Sequence, residues 1–323
     1  MPKNSIRRGK GRPMEEQATA LLRQYLDLSS RHAAKLELSI RGGGSTGRIH
    51  SLRTFEKYAA SLRQAGEWAR DKHGLRHLSD LTAEQAQGYL EQRAATKIGQ
   101  RHLDIERRVL EFVTGPGSLQ RVTAEVAKPK LTSRFYTPIQ VEMVQRAQTD
   151  SNALATRIAH EAGLRAHELL TLRRFDEDQA SRHRQWRPER FQGRDGVRYV
   201  VTGKGGLKRE VLLSRETAER LEERRLEAPR EVADRSIRYN QVYDLSGGNR
   251  WAVSFSAASE RALGWSRGAH GMRHSYAQER LRELQGLRDS NGKPAGLYYR
   301  EAKEVVSQEL GHFREDIVNT YLR

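Results

Sequence analysis

The chain of 323 residues carries 58 Lys+Arg against 41 Asp+Glu, a formal net charge of +17, and its length favours two domains over one core. Such an excess repels itself in a compact state and is relieved by a polyanion, most commonly the phosphates of nucleic acid. The absence of cysteine excludes disulfides, thiolate catalysis and Cys-ligated zinc, and no apolar run approaches the roughly 18–20 residues of a membrane span.

Residues 1–14 are basic and no apolar stretch follows them, so they are not a secretory signal. They are expected to form a disordered arm that touches phosphates, in a protein of the cytoplasm and, in a bacterium, the nucleoid. Residues 15–117 read as helical. Leu52, Phe55, Ala59, Leu62 and Ala65 recur at spacings of three and four and predict one buried stripe, ended by a glycine stop at His73-Gly74. Thr82-Ala83-Glu84-Gln85 is a capping box opening a helix that carries Tyr89 and Leu90. A further helix over 105–113 ends at Gly115-Pro116-Gly117, and residues 42–47 form a glycine-rich loop.

Across 118–136 the periodicity fades, and Lys128, Pro129 and Lys130 suggest an extended basic linker between domains. Thr137, Pro138 and Gln140 then open a new helix and a second domain over 137–323. In it, residues 197–201 and 210–213 are β-rich runs flanking Gly203-Lys204-Gly205-Gly206, a small antiparallel hairpin. Everything else of length reads as helix. The fold class is mainly α with a small antiparallel β-sheet.

Several residues of this half suit phosphodiester chemistry. Arg165, near an expected helix start that also favours an anion, could hold two non-bridging phosphate oxygens, with Glu168 fixing its rotamer; taken alone, a surface Arg–Glu pair explains them better. Lys204 could protonate a departing 5′ oxygen, or be a solvated hairpin lysine; no P-loop pattern surrounds it. His270 and Arg273 lie three apart and face one site from a helix start. Arg273 would add a second guanidinium around a pentacoordinate phosphorane, and His270 titrates in the range that suits accepting a phenol proton. A metal held by His270 and His274 is a rival, without the Glu of a helical zinc-hydrolase motif. His274 reads better as a buried hydrogen-bonder behind Arg273. His312 could donate to a non-bridging oxygen, and Tyr321 would be the nucleophile. Its phenol, ordinarily of pKa about 10, ionises more easily near two arginines. A lone tyrosine in such a place is ordinarily packing; the ordered set is what argues for chemistry.

That set is Gly-Leu-Arg (163–165), Gly-Lys-Gly (203–205), His-x-x-Arg-His (270–274) and Leu-Gly-His (310–312) with Tyr321 nine positions on. With it the chain resembles the tyrosine recombinases, the phage-integrase family of site-specific recombinases, over residues 137–321. The first half is similar to the family's helical core-binding domain in helix pattern only. The resemblance implies a helical DNA core-binding domain plus a mixed α/β catalytic domain. It implies a site-specific recombinase or integrase that cleaves and rejoins duplex DNA through a 3′-phosphotyrosyl bond, freeing a 5′ hydroxyl. Tyr321 would be the nucleophile, Arg165 and Arg273 the phosphate clamp assisted by His312, Lys204 the general acid and His270 the general base. The covalent link conserves the bond energy, so no cofactor, neither ATP nor a metal, is implied. Double-stranded DNA, a homotetramer on paired sites, and accessory DNA-bending or directionality factors are the implied partners.

Two alternatives remain at this level: a non-catalytic DNA-binding accessory protein of the same fold, and a topoisomerase-like nicking enzyme. Two departures from the family stand out. Only Leu322 and Arg323 follow Tyr321, where many relatives carry a further helix docking on a neighbouring subunit, so either the natural chain runs further or assembly uses other contacts. The stretch between Arg273 and His312 is also long, with an extra loop at 289–294 that touches DNA or a partner, or is a surface excursion, the reading slightly favoured.

Overall fold

The helix boundaries expected from sequence are made by the hydrogen bonds that define them. Thr82 Oγ1 accepts from Gln85 N and Gln85 Oε1 from Thr82 N, both at 3.2 Å. The same reciprocal pair joins Thr137 and Gln140, and Gly74 ends its helix in the left-handed region at φ 70. The structure, a computed structural model, describes residues 12–28, 46–126, 132–203, 205–235 and 237–323. Most of the expected arm and of the 42–47 loop, together with Lys128, Pro129, Lys130 and Lys204, lies outside the described residues. The chain divides into two units, Met1–Lys130 and Leu131–Arg323.

The first unit packs α1 (Met14–Arg23), α2 (Leu52–His73), α3 (Ala83–Ala94) and α4 (Gln100–Thr114) around one core. Leu62 and Ala65 of the predicted stripe are buried with Ala69 against Met14, Ala18 and Leu22 of α1. Met14 corrects the expected arm: its side chain is buried at the start of α1, because an apolar thioether gains more under α2 than in water. Leu119 is buried in the same core, with Val122 and Ala124 packed on it. The expected linker therefore belongs in part to this unit, and Tyr136 at its other end is buried in the second.

The second unit contains α5 (Pro138–Arg146), α6 (Asp150–Glu161), β1 (Arg173–Arg174), β2 (Val197–Thr202), β3 (Lys208–Leu213) and α7 (Arg215–Glu222). It continues with β4 (Arg225–Asp234), β5 (Ile237–Tyr243), α8 (Gly248–Leu263), α9 (Gly271–Gln285), α10 (Tyr299–Glu309) and α11 (Glu315–Tyr321). The predicted hairpin is β2–β3, in antiparallel register from Val197↔Leu213 to Thr202↔Lys208, with β1 added on the β2 edge. Tyr199, Val201, Val211 and Leu213 bury against Trp251 and Phe255 of α8 and Met272 of α9. A second cluster joins Tyr276 and Leu284 of α9, Val305 and Val306 of α10, and Val318 and Tyr321 of α11.

One expectation is overturned. Residues 225–243, read as helix, form the antiparallel hairpin β4–β5. Arg, Glu and Ala dominate β4 and suit a helix by propensity, but Pro229 has no N–H and breaks a helical ladder. In the hairpin it falls in the register shift between Arg225 and Arg230, where no ladder bond is needed. Residues 289–294 close a compact surface turn, in which Asp289 Oδ1 accepts from Asn291 N (2.9 Å) and Lys293 N (2.8 Å). Among the described residues no helix is long and apolar enough to cross a membrane.

Candidate active site

Two glycine turns and the start of one helix bring the predicted side chains together. Gly163 (φ +59) turns the chain after α6; a Cβ there would lie 2.7 Å from Leu310 and 2.8 Å from Tyr276, so only glycine fits. Arg165 follows, ahead of a 3-10 turn of 5 residues (Ala166–Leu170) in place of the α-helix start expected. Its backbone N donates to Glu168 Oε2 (2.8 Å) and its Nη1 to Glu168 Oε1 (2.6 Å). The N–H expected to favour an anion is thus occupied, and anion binding falls to the guanidinium, whose Glu168-fixed rotamer is as predicted. The other turn, at Gly311 (φ +71), precedes His312; a Cβ there would lie 2.9 Å from Arg209 Cδ.

Arg273, in the first turn of α9, is fully buried. Its Nη1 donates to Gly163 O (2.5 Å) and its Nη2 to Leu310 O (2.8 Å), joining the two turns. Burial and the neighbouring Arg165 push its guanidinium down to about 10, so it stays charged at neutral pH.

His312 Nε2 is the point of convergence. It lies 3.1 Å from Nη2 of Arg165, 3.1 Å from Nη2 of Arg273 and 2.9 Å from the Tyr321 hydroxyl. Guanidinium nitrogens only donate, so Nε2 accepts and the ring is neutral with its proton on Nδ1. Burial, then Arg273, Arg165 and Arg209, push the imidazole pKa down to about 3, which maintains that state. Tyr321 ends α11 only 4% exposed, and its hydroxyl points at a neutral base between two cations. The Arg273 guanidinium also stands over its ring at 5.4 Å.

His270 caps α9, its ring 5.7 Å from that of Tyr321 and partly open to solvent. Burial of its inner edge, with Arg273, His274, Arg165 and Arg134 nearby, pushes its pKa down. His274 is buried as expected, but it packs its ring edge on Tyr321 at 5.1 Å, and among the described residues its Nδ1 has no hydrogen-bond partner. Lys204 lies outside the described residues. Gly203 before it adjoins the site, since a Cβ there would lie 3.1 Å from Glu168 Oε1. An open cleft of about 650 Å³ leads from Arg165 and His270 along Ala252 and Val253 of α8. Among the described residues no group of three or more His, Asp or Glu converges as metal ligands.

No family model matches this chain, and no curated protein matches it. Solved structures do. The XerH site-specific recombinase bound to palindromic difH substrate, a post-cleavage complex, is 14% identical with a TM-score of 0.54 over 98% of this chain and 94% of that one. A lambda integrase dimer bound to a COC′ core site is 16% identical with a TM-score of 0.51 over 90% and 95%.

The fold is that of the tyrosine recombinases. Within this recombinase fold Arg165, His270, Arg273, His312 and Tyr321 all reach one site. Sequence reasoning missed Arg209 of β3, which is 1% exposed and donates from Nη2 to Glu168 Oε2 at 2.7 Å. It follows Lys208 in a hairpin and nothing local marks it as buried. Burial alone would raise the Glu168 carboxyl, yet Arg209, Arg165 and Arg273 together hold it down at about 2. Three guanidiniums thus face one carboxylate. Among the described residues Arg273 Nε and Arg209 Nε and Nη1 have no hydrogen-bond partner, and three guanidiniums against one carboxylate leave an excess of positive charge that an incoming phosphodiester would neutralise.

Proposed function

We propose that this chain is a site-specific DNA recombinase or integrase that breaks and rejoins duplex DNA through a 3′-phosphotyrosyl intermediate. The observation that carries the reading is His312 Nε2 within 3.1 Å of both Arg165 and Arg273 and 2.9 Å from the Tyr321 hydroxyl. A scissile phosphate entering between the arginines takes over N–H groups now directed at His312. Burial, Arg273 and Arg165 otherwise hold His312 neutral. With the charge of the phosphate offsetting the two arginines, the Tyr321 oxygen attacks phosphorus while its proton passes to His312 Nε2, 2.9 Å away. The new Nε2–H then faces a non-bridging oxygen and donates to it, so one residue accepts and donates in turn. The bond from phosphorus to the 5′ oxygen breaks, and Lys204 protonates the leaving oxygen. His270, expected as the general base, stands at the open side of the tyrosine with its ring 5.7 Å from the tyrosine ring and is the other candidate to take that proton. Attack by a 5′ hydroxyl of another strand reverses these steps and rejoins the DNA with no external energy source.

The net charge of +17, with the palindromic difH substrate and the COC′ core site bound by the two structural neighbours, supports duplex DNA as the partner. In this reading the core-binding domain, expected over 15–117, takes in Met14 and the chain as far as Ala124. The linker of the expected 118–136 is what lies between Ala124 and Tyr136, and the catalytic domain runs from there to 323. The protein works as a homotetramer on paired sites, with accessory DNA-bending or directionality factors, at the nucleoid.

The test is to stop the protein acting on host and element DNA with SDS, recover covalently attached fragments and sequence them, with Tyr321→Phe alongside. Fragments sharing one sequence, from the wild type alone, are expected. Adducts that persist in Tyr321→Phe would sink the assignment. Scattered fragments would point to a topoisomerase-like nicking enzyme, and tight duplex binding with no adduct to a non-catalytic accessory protein.

A further inference from the structure

β1 and β2 are antiparallel neighbours, Arg174 opposite Tyr199, and a short turn would join them. The chain instead runs through residues 175–196, and that excursion returns to the turn carrying His312. The Trp186 ring lies 4.7 Å from the Phe313 ring, with the Arg184 guanidinium 5.0 Å from Phe313 as well. Trp186 is itself fixed by Arg190 over its ring at 4.4 Å and by its indole N–H donating to Ser181 O (3.2 Å). Arg187 N donates to Gln308 Oε1 (2.6 Å), Gln308 Nε2 to Gln185 O (3.4 Å), Arg187 Nη1 to Glu304 Oε2 (2.5 Å), and Phe191 N to Glu309 Oε1 (2.9 Å). Apart from the two that fix Trp186 within the excursion, these attachments land on the last turns of α10 or on Phe313.

Phe313 holds a left-handed backbone, φ +54, which disfavours a residue with a Cβ by about 1–2 kcal/mol. Such a conformation persists only where its surroundings impose it. Relaxed to negative φ, the chain after Phe313 would leave the turn in another direction, swinging α11 and Tyr321 relative to His312 and pulling the turn that holds His312 Nε2 between Arg165 and Arg273.

We propose that residues 181–191 are a clamp on the α10–α11 turn, and that Trp186 is the positioning residue that keeps Phe313 left-handed and so aims His312 at Tyr321. The consequence for catalysis rests on the recombinase reading; the positioning itself does not.

The test uses the full chain with ¹³C-labelled histidine imidazoles followed by NMR, with His312 assigned by its loss in His312→Asn. In the wild type His312 should stay neutral across about pH 5–8. In Trp186→Ala it should titrate there, moving towards its ordinary 6.5, while His274, which makes no clamp contact, stays as in the wild type. Trp186→Phe, which keeps a ring on Phe313, should restore the wild-type behaviour. Gln308→Ala removes a latch without opening the core and should shift His312 in the same direction even where Trp186→Ala fails to fold. A Trp186 that is only structural would lower the melting temperature with His312 unmoved, and a silent His312 in the folded variants overturns the clamp. On the trapped DNA site, Trp186→Ala should slow adduct formation about tenfold or more and add nothing to His312→Asn. A shifted His312 with no adduct from the wild type would overturn the recombinase reading and leave the clamp standing. Wild-type adducts with an unmoved His312 would do the reverse.

Discussion

Glu106 in the first unit and Glu168 in the second are both buried, at 1% and 0% exposure, and arginine holds each; the two arrangements differ in stoichiometry. Glu106 accepts from Arg93 Nε (3.1 Å) and Nη2 (2.9 Å), tying α3 to α4, and Arg93 keeps 29% of its side chain in solvent. That pair is matched: two carboxylate oxygens meet two guanidinium donors, with His102 Nε2 a further 3.4 Å neighbour and the rest of Arg93 open to solvent. Glu168 is shared by Arg165 and Arg209, with Arg273 at 3.8 Å, and neither Arg209 nor Arg273 reaches solvent. A matched Arg–Glu pair ties two helices together. Guanidiniums in excess of their carboxylate, dry and with N–H groups left over, make a place that an anion completes.

The difference predicts unequal costs. Glu168→Gln strands three cations and should lower the unfolding free energy by about 3–5 kcal/mol, with no covalent DNA adduct from the folded fraction. Acid should separate the units next. A carboxyl held at about 2 against its ordinary 4.5 stabilises the fold above 4.5, and that stabilisation of about 3 kcal/mol is lost as pH falls towards 2. His312 and His274, held at about 3 and about 4 against 6.5, are neutral in the fold and bind protons once unfolded. Their stabilisation is present above 6.5 and declines as pH falls below it. Hydrogen exchange against pH should therefore show residues 132–323 opening progressively below about pH 6.5, and a flat profile there would contradict the neutral histidines. Glu106→Gln should cost less, about 1–2 kcal/mol, because Arg93 can turn to water, and adduct formation per folded molecule should be unchanged. Equal costs in urea titrations of the two variants would break the comparison.

Much of this was legible because it is local. Capping boxes at Thr82 and Thr137, the stop at Gly74 and the β2–β3 hairpin are set by a few adjacent side chains. The order Arg165, His270, Arg273, His312, Tyr321 could be read as one site because each residue sits in a short motif. What was not legible is tertiary. Arg209 looks like any hairpin arginine until β3 turns it inward under Glu168. β4 has a helix former's composition, and only pairing of Val232 with Tyr239 and the displacement of Pro229 into a register shift make it a strand. The left-handed Phe313 has no sequence signature, since nothing near it in the chain requires that conformation; Trp186, from the β1–β2 excursion, supports it.

The smallest expected effect tests the positive excess without any DNA. Inorganic phosphate should raise the melting temperature of the second unit, by an amount equivalent to about 1 kcal/mol at a few times its dissociation constant. The phosphate oxygens would accept from Arg165 and Arg273 in place of His312 Nε2. A chain of net charge +17 binds phosphate diffusely as well, so the wild type alone decides nothing. Arg165→Gln decides it. That side chain is 20% exposed, so its loss leaves no large cavity, and Glu168 keeps Arg209 and Arg273. If the site is the excess of guanidinium over carboxylate, this substitution removes the stabilisation by phosphate while the weaker, salt-sensitive binding elsewhere persists. An undiminished rise in melting temperature would place the bound phosphate elsewhere on the basic surface, and Glu168 would then be, like Glu106, a structural tie.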